Sequence, residues 1–135
     1  MKILKLIIRN LASIENAVID FENGPLADES CFLICGPTGS GKTTLLDAIC
    51  LALYGKTPRM NEANRERYVD HTENFGDDIS IDDVRGLMKR GTDCASVELW
   101  FTDVNDHPLK SIWQVERSRN RGGYIKNGKI QSPKW

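Results

Sequence analysis

An α/β fold is predicted, with an antiparallel β part beside a partly parallel sheet, and three observations predict it. Residues 31–35, CFLIC, are apolar without alternation, which suits a strand covered by helices on both faces. A glycine-rich turn follows at once, and then a run of strong helix formers. On either side of this unit, apolar and polar residues alternate, the pattern of half-buried strands.

Taken in order, residues 2–10 put Leu4, Leu6 and Ile8 on one face and Lys5 and Arg9 on the other, which predicts a first strand. Residues 17–21, AVIDF, form a short second strand that can pair with the first across NLASIEN. The polar stretch ENGPLADES is a loop leading to CFLIC. From Lys42 to Tyr54 the residues are apolar nearly all round, so this helix is expected in a core, with Gly55 as its C-terminal cap and Pro58 barring continuation. Residues 60–84 are polar and acidic and read as an insert. Within it Ser80, with Asp83 three residues on, can cap a helix that carries Ile81, Val84, Leu87 and Met88 on one face and ends at Gly91. Ala95, Val97, Leu99 and Phe101 then alternate with polar neighbours. DVND is a turn, 109–117 a further strand, and Asn127-Gly128 between extended runs predicts a hairpin.

The bulk properties exclude more than they assign. The chain has 135 residues, 40% apolar and 27% charged, a globular balance. No run of eighteen apolar residues could cross a membrane. Lys5 breaks the apolar N-terminus and no small-residue cleavage site follows, so a cytoplasmic protein is expected. The four cysteines, 31, 35, 50 and 94, lack CxxC spacing and read as buried free thiols. Residues 109–135 hold seven Lys or Arg against one acid, a net +6; the whole chain carries −1, which leaves −7 for the first 108 residues. A basic segment of this kind can be a solvated strand face or a contact to a phosphate backbone.

Gly36-Pro37-Thr38-Gly39-Ser40-Gly41-Lys42-Thr43 matches G-x-x-x-x-G-K-[ST] in full, between a predicted strand and a predicted helix. Glycines let successive backbone N–H groups turn inward on phosphate oxygens, and the helix N-terminus adds partial positive charge. Lys42 is placed for the β- and γ-phosphates, the Thr43 hydroxyl for Mg²⁺, and Thr44 for a further phosphate contact. ATP and Mg²⁺ are the expected cofactors of this P-loop. Hydrolysis also needs an acid at the end of a buried strand and a group that orients water. After Thr43 no run of four apolar residues ends in Asp or Glu, so no catalytic set is complete in the chain.

MKILKLIIRNLASIENAVIDF, the P-loop and TTLLDAICLALYGKTPR together resemble the N-terminus of the bacterial SbcC family, and LMKRGTDCASVELWF resembles its helix–turn–strand. SbcC proteins are ATPase subunits of DNA-end-processing nucleases and relatives of SMC proteins. The resemblance implies that 1–135 is a partial ABC-type ATPase head, its N-terminal lobe. The partners it implies are the protein's own C-terminal lobe across a long coiled coil, a second copy of the head, an SbcD-like nuclease subunit, and DNA. It further implies that the glutamine loop, signature motif, Mg²⁺-binding acid, catalytic glutamate and switch histidine lie outside this sequence. The lobe alone is then expected to bind nucleotide weakly, not to hydrolyse it, and to self-associate through apolar surface that the second lobe covers. An arginine of the repair-ATPase branch that approaches the nucleotide is replaced by Ala12, and Arg59 is a candidate for a nucleotide-side or structural role. By the same likeness Lys89, Arg90, Arg117, Arg119 and Arg121 are candidate DNA contacts. A small P-loop kinase and an SMC-type nucleotide-dependent DNA clamp remain the alternatives.

Overall fold

A computed structural model describes residues 1–58, 60, 67–68, 79–80, 84–117 and 124–131. Arg59, Arg119, Arg121 and most of the 60–84 insert lie outside the described residues. β1 (Ile3–Leu11) and β2 (Ile14–Asp20) form a hairpin with Ala12 and Ser13 at its tip, and α1 spans Lys42–Tyr54. β3 (Arg67–Tyr68) and β4 (Ile79–Ser80) make a two-stranded ladder of their own. β5 (Cys94–Thr102), β6 (Pro108–Arg117) and β7 (Tyr124–Gln131) complete a sheet of order β2-β1-β5-β6-β7 in which every neighbour is antiparallel.

Strand alternation builds the core as predicted. Leu6 and Ile8 of β1, Ala95, Val97 and Leu99 of β5, and Trp113 and Val115 of β6 are buried on one face of the sheet. Against that face α1 lays Ala48, Leu51 and Ala52 in the same cluster. Full burial of Leu51 alone contributes about 2 kcal/mol. The Ser111 hydroxyl donates to the Ala52 carbonyl and fixes the helix against β6. Gly55 ends α1 in the left-handed region (φ 70°), its N–H donating to the Leu51 carbonyl at 2.9 Å. In the β5–β6 turn, Asp103 Oδ1 accepts from the backbone N–H of Asn105 at 2.7 Å and of His107 at 2.9 Å. The His107 N–H is the larger cause that holds this carboxyl below its ordinary value.

The opposite face of the sheet carries both signs of charge. Lys110 pairs with Glu98 at 2.5 Å and stands over the Trp100 ring, 4.9 Å from its centroid. Lys5 lies 3.9 Å from Asp20. Both of these lysines have an acidic neighbour within the sheet.

Several expectations are corrected. Residues 31–35 are not a buried strand: they have no regular structure and are exposed, Leu33 at 86%. A strand needs a neighbour, and among the described residues none runs parallel to this segment, so the partly parallel sheet is not found. Phe32 anchors it, its ring 5.0 Å from that of Phe21. For the same reason α1 is covered on one face only, and Leu46 on the other is 55% exposed. The cysteines are free but not buried: Cys31, Cys35 and Cys94 are exposed and Cys50 is half-buried.

The helix expected from Ser80 to Gly91 is replaced. Ser80 ends β4, Val84–Leu87 is a single 3-10 turn, and Met88 makes an antiparallel bridge with Leu11. Backbone pairing with the hairpin tip overrides helix propensity here. Finally, Asn127-Gly128 turns no hairpin. Both residues sit inside β7, with Gly128 opposite Trp113 and Asn127 opposite Gln114. A ladder running from Lys110↔Gln131 to Arg117↔Tyr124 outweighs one local turn signal.

Candidate nucleotide-binding site

The glycine turn owes its shape to residues that tolerate positive φ. Gly39 (φ 81°) and Gly41 (φ 91°) are both left-handed, a region that side-chain-bearing residues occupy only under strain. A Cβ on Gly36 would lie 2.7 Å from Ser40 Oγ. Gly41 is the N-cap of α1 and makes no side-chain cap hydrogen bond, and no acid lies in the first turn. The first N–H groups of a helix have no partner within it, and here they open onto the loop with the positive end of the helix dipole behind them.

Lys42 is folded over this cradle. Its ammonium donates to the Gly36 and Pro37 carbonyls, each at 2.7 Å. An ammonium has three protons, so one is left for an anionic oxygen beside those carbonyls. Ser13, Thr38, Gly39, Gly41, Lys42, Thr43 and Thr44 line an open cleft of about 410 Å³. That volume falls within the range of ligand pockets. The donor set of the described residues suits a polyphosphate: backbone amides, one cation and three threonine hydroxyls, with no carboxylate among them. Among the described residues no group of three His, Cys, Asp or Glu could hold a metal ion.

The geometry thus brings Thr38, Gly39, Gly41, Lys42, Thr43 and Thr44 to one cleft, leaves Gly36, Pro37 and Ser40 outside its lining, and adds Ser13, which the sequence did not single out. A residue at the tip of a hairpin, 23 positions before the motif, carries no spacing signal that would have pointed to it.

A family model for the AAA domain matches residues 5–134. The chain belongs to the AAA domain family. As a member it is a P-loop protein, and the α1 and sheet arrangement above is its small α/β body. Among curated proteins, it is 39% identical to the SbcC component of the SbcCD nuclease of Pseudomonas aeruginosa over 122 residues, 90% of this chain and 10% of that protein. To the SbcC component of Rhodobacter capsulatus it is 36% identical over 133 residues, 98% of this chain and 10% of that protein. It is also 42% identical over 74 residues to the DNA replication and repair protein RecF of Proteus mirabilis, 55% of this chain and 18% of RecF. The resemblance to SbcC read from the P-loop and its helix is therefore shown along nearly the whole AAA domain chain. That chain spans about a tenth of the length of these SbcC relatives.

The candidate DNA contacts divide. Lys89 follows the 3-10 turn, and its ammonium lies 2.7 Å from Glu15 Oε2. That hydrogen bond, and then the ammonium's charge, hold the Glu15 carboxyl below its ordinary value. Arg90 is exposed in the turn before β5, and Arg117 ends β6. No helix among the described residues is long and apolar enough to cross a membrane.

Proposed function

We propose that this AAA domain is the ATP-binding N-terminal lobe of an SbcC-like DNA-repair ATPase, in which nucleotide state gates the access of a partner nuclease to DNA. The observation that carries the reading is the P-loop itself: Lys42 held over the Gly36 and Pro37 carbonyls, in front of an uncapped helix N-terminus. ATP would seat its phosphates on the amides of 36–44, and Mg²⁺ would join the phosphates to Thr43. Hydrolysis would need groups from the rest of the protein: its C-terminal lobe and a second copy of the head. The bare apolar run Phe32, Leu33 and Ile34, with Leu46 of α1, is the surface on which that lobe would seat. An SbcD-like nuclease and DNA would complete the assembly in the cytoplasm. The hairpin of β1 and β2 precedes the P-loop and contributes Ser13 to its cleft, which favours this reading over a small P-loop kinase.

Mixing tests it. The lobe alone is expected to bind Mg·ATP weakly and not to turn it over. Adding the C-terminal lobe in trans should raise affinity and produce hydrolysis, read by calorimetry and phosphate release. ATPase activity by the lobe alone, lost in Lys42→Ala, would contradict the split head.

DNA contact through Lys89, Arg90, Arg117, Arg119 and Arg121 would be sequence-independent and salt-sensitive. Because Glu15 holds Lys89, Glu15→Gln should release the ammonium to phosphate. An exposed ion pair is weak, so the expected gain in duplex affinity is up to about fivefold, with a steeper salt dependence. Fluorescence anisotropy at two salt concentrations measures it. Unchanged binding would remove Lys89 from the contact set.

A further inference from the structure

The chain holds two Asn-Gly dipeptides, Asn23-Gly24 and Asn127-Gly128, and the fold treats them differently. Asn127 and Gly128 lie inside β7, where their backbone pairs with Gln114 and Trp113 of β6. Asn23 and Gly24 lie in the exposed turn after β2, outside any strand or helix. Gly24 is left-handed (φ 86°), and a Cβ built on it would meet nothing within 4 Å, so this side of the turn is open.

An asparagine side chain carries an amide carbon on which the next backbone nitrogen can close a five-membered ring. Closure needs three things. The backbone must be able to leave the extended form, the nitrogen must not be held as a hydrogen-bond donor, and the attacking residue must be small. Glycine meets the last and eases the first. A strand ladder denies the first to Asn127-Gly128, whereas the turn at Asn23-Gly24 does not.

The hydrogen bonds of the turn also leave the attacking nitrogen available. Asp20 Oδ1 accepts from the backbone N–H of Glu22 at 2.9 Å and of Asn23 at 2.8 Å. Among the described residues the Gly24 N–H donates to none. The Asn23 side-chain NH₂ reaches Asp20 Oδ1 at 3.4 Å and Oδ2 at 3.3 Å, longer than an ordinary N–H···O bond, so the amide is only weakly restrained.

We propose that Asn23 is a self-modification site, at which the Gly24 nitrogen closes on the side-chain amide and turns the residue into aspartate or isoaspartate. The bond from the Gly24 nitrogen to Cγ forms and the Cγ–Nδ2 bond breaks. The Gly24 nitrogen gives up its proton, and Nδ2 leaves as ammonia. A solvent water then opens the cyclic imide: at the side-chain carbonyl it gives aspartate, at the backbone carbonyl isoaspartate. No oxidant or reductant takes part. The product sets a carboxylate beside Asp20, where a donor had stood. Asp20, Glu22 and Asn23 share one shallow pocket with Leu4, Lys5 and Trp100, so its two carboxylates become three around the Lys5 ammonium. The site is independent of the nucleotide cleft.

The test incubates the protein that carries this lobe in heavy-oxygen water at neutral pH, then digests it in ordinary water for peptide mass spectrometry. The peptide holding Asn23 should gain the mass of a heavy OH in place of NH₂, as two chromatographically distinct products. Over the same interval the peptide holding Asn127 should stay unchanged, and in urea, which melts the strand, both should convert. Gly24→Ala should lose most of the conversion, because a methyl group on the attacking residue hinders closure. Asn23→Gln should lose all of it, because its ring would need a sixth member. Asn23→Gln keeps the glycine, so its result stands even where alanine disturbs the left-handed turn. An unchanged Asn23 peptide, equal conversion at Asn23 and Asn127 in the folded protein, or a shift that persists in Asn23→Gln overturns the assignment.

Discussion

Lys42→Ala should lower the affinity for Mg·ATP by about ten- to a hundredfold while the sheet and α1 stay folded. Two roles are lost together. Among the described residues the ammonium is the only cation lining the cleft, and hydrogen bonds between a cation and a phosphate contribute about 1.5–3 kcal/mol each. The one such bond left to the ammonium corresponds to roughly one to two decades in affinity. The same ammonium ties the Gly36 and Pro37 carbonyls at 2.7 Å, so its removal also loosens the loop that aims the amides. Lys42→Arg should not rescue, because a planar guanidinium cannot place point-like donors on the same two carbonyls and a phosphate. Stability should change little, since Lys42 is half-exposed and outside the buried core. Calorimetric titration of Mg·ATP with circular dichroism as the folding control decides it. Retained affinity in a folded Lys42→Ala protein would leave the cleft without its expected role.

What could be read from the sequence is what depends on local pattern. α1 runs from Lys42 to Tyr54 as predicted, because its helix formers are bounded by glycine on both sides and Gly55 caps it. β5 and β6 follow from alternation, since Ala95, Val97 and Leu99 must share one face if they are to be buried. What could not be read depends on partners. The run 31–35 has the composition of a doubly covered strand, but composition does not supply the neighbouring strand that would cover it. Asn127-Gly128 favours a two-residue turn, yet turn preference cannot count the rungs of a ladder with β6. Leu87 and Met88 sit on one face of a would-be helix, but pairing with Leu11 and Ala12 claims their backbone. The site shows the same division. Gly36 to Thr44 are contiguous and carry a motif, whereas Ser13 reaches the cleft only because the hairpin folds back over the loop.

Trp113 offers the largest effect on stability, and a way to separate its two contributions. It is 1% exposed on β6, opposite Val97 of β5 and Gly128 of β7, in one cluster with Leu51 of α1. Trp113→Ala should cost about 3–5 kcal/mol, the transfer of the ring plus the cavity left behind. Small domains are stable by about 5–15 kcal/mol in all, so the variant should be largely unfolded under mild denaturant. The indole Nε1 is buried and has no hydrogen-bond partner among the described residues. A buried donor without a partner costs about 1–3 kcal/mol, which the ring's apolar burial has to offset. Trp113→Phe removes that donor and keeps most of the apolar contact, so the two changes oppose one another. The expected loss for Trp113→Phe is below about 1.5 kcal/mol, well under half of that for alanine. Urea unfolding of the parent and both variants measures the difference through the shift in midpoint at constant slope. If phenylalanine proved as damaging as alanine, the donor would be satisfied in solution, by an ordered water held inside the sheet–helix interface.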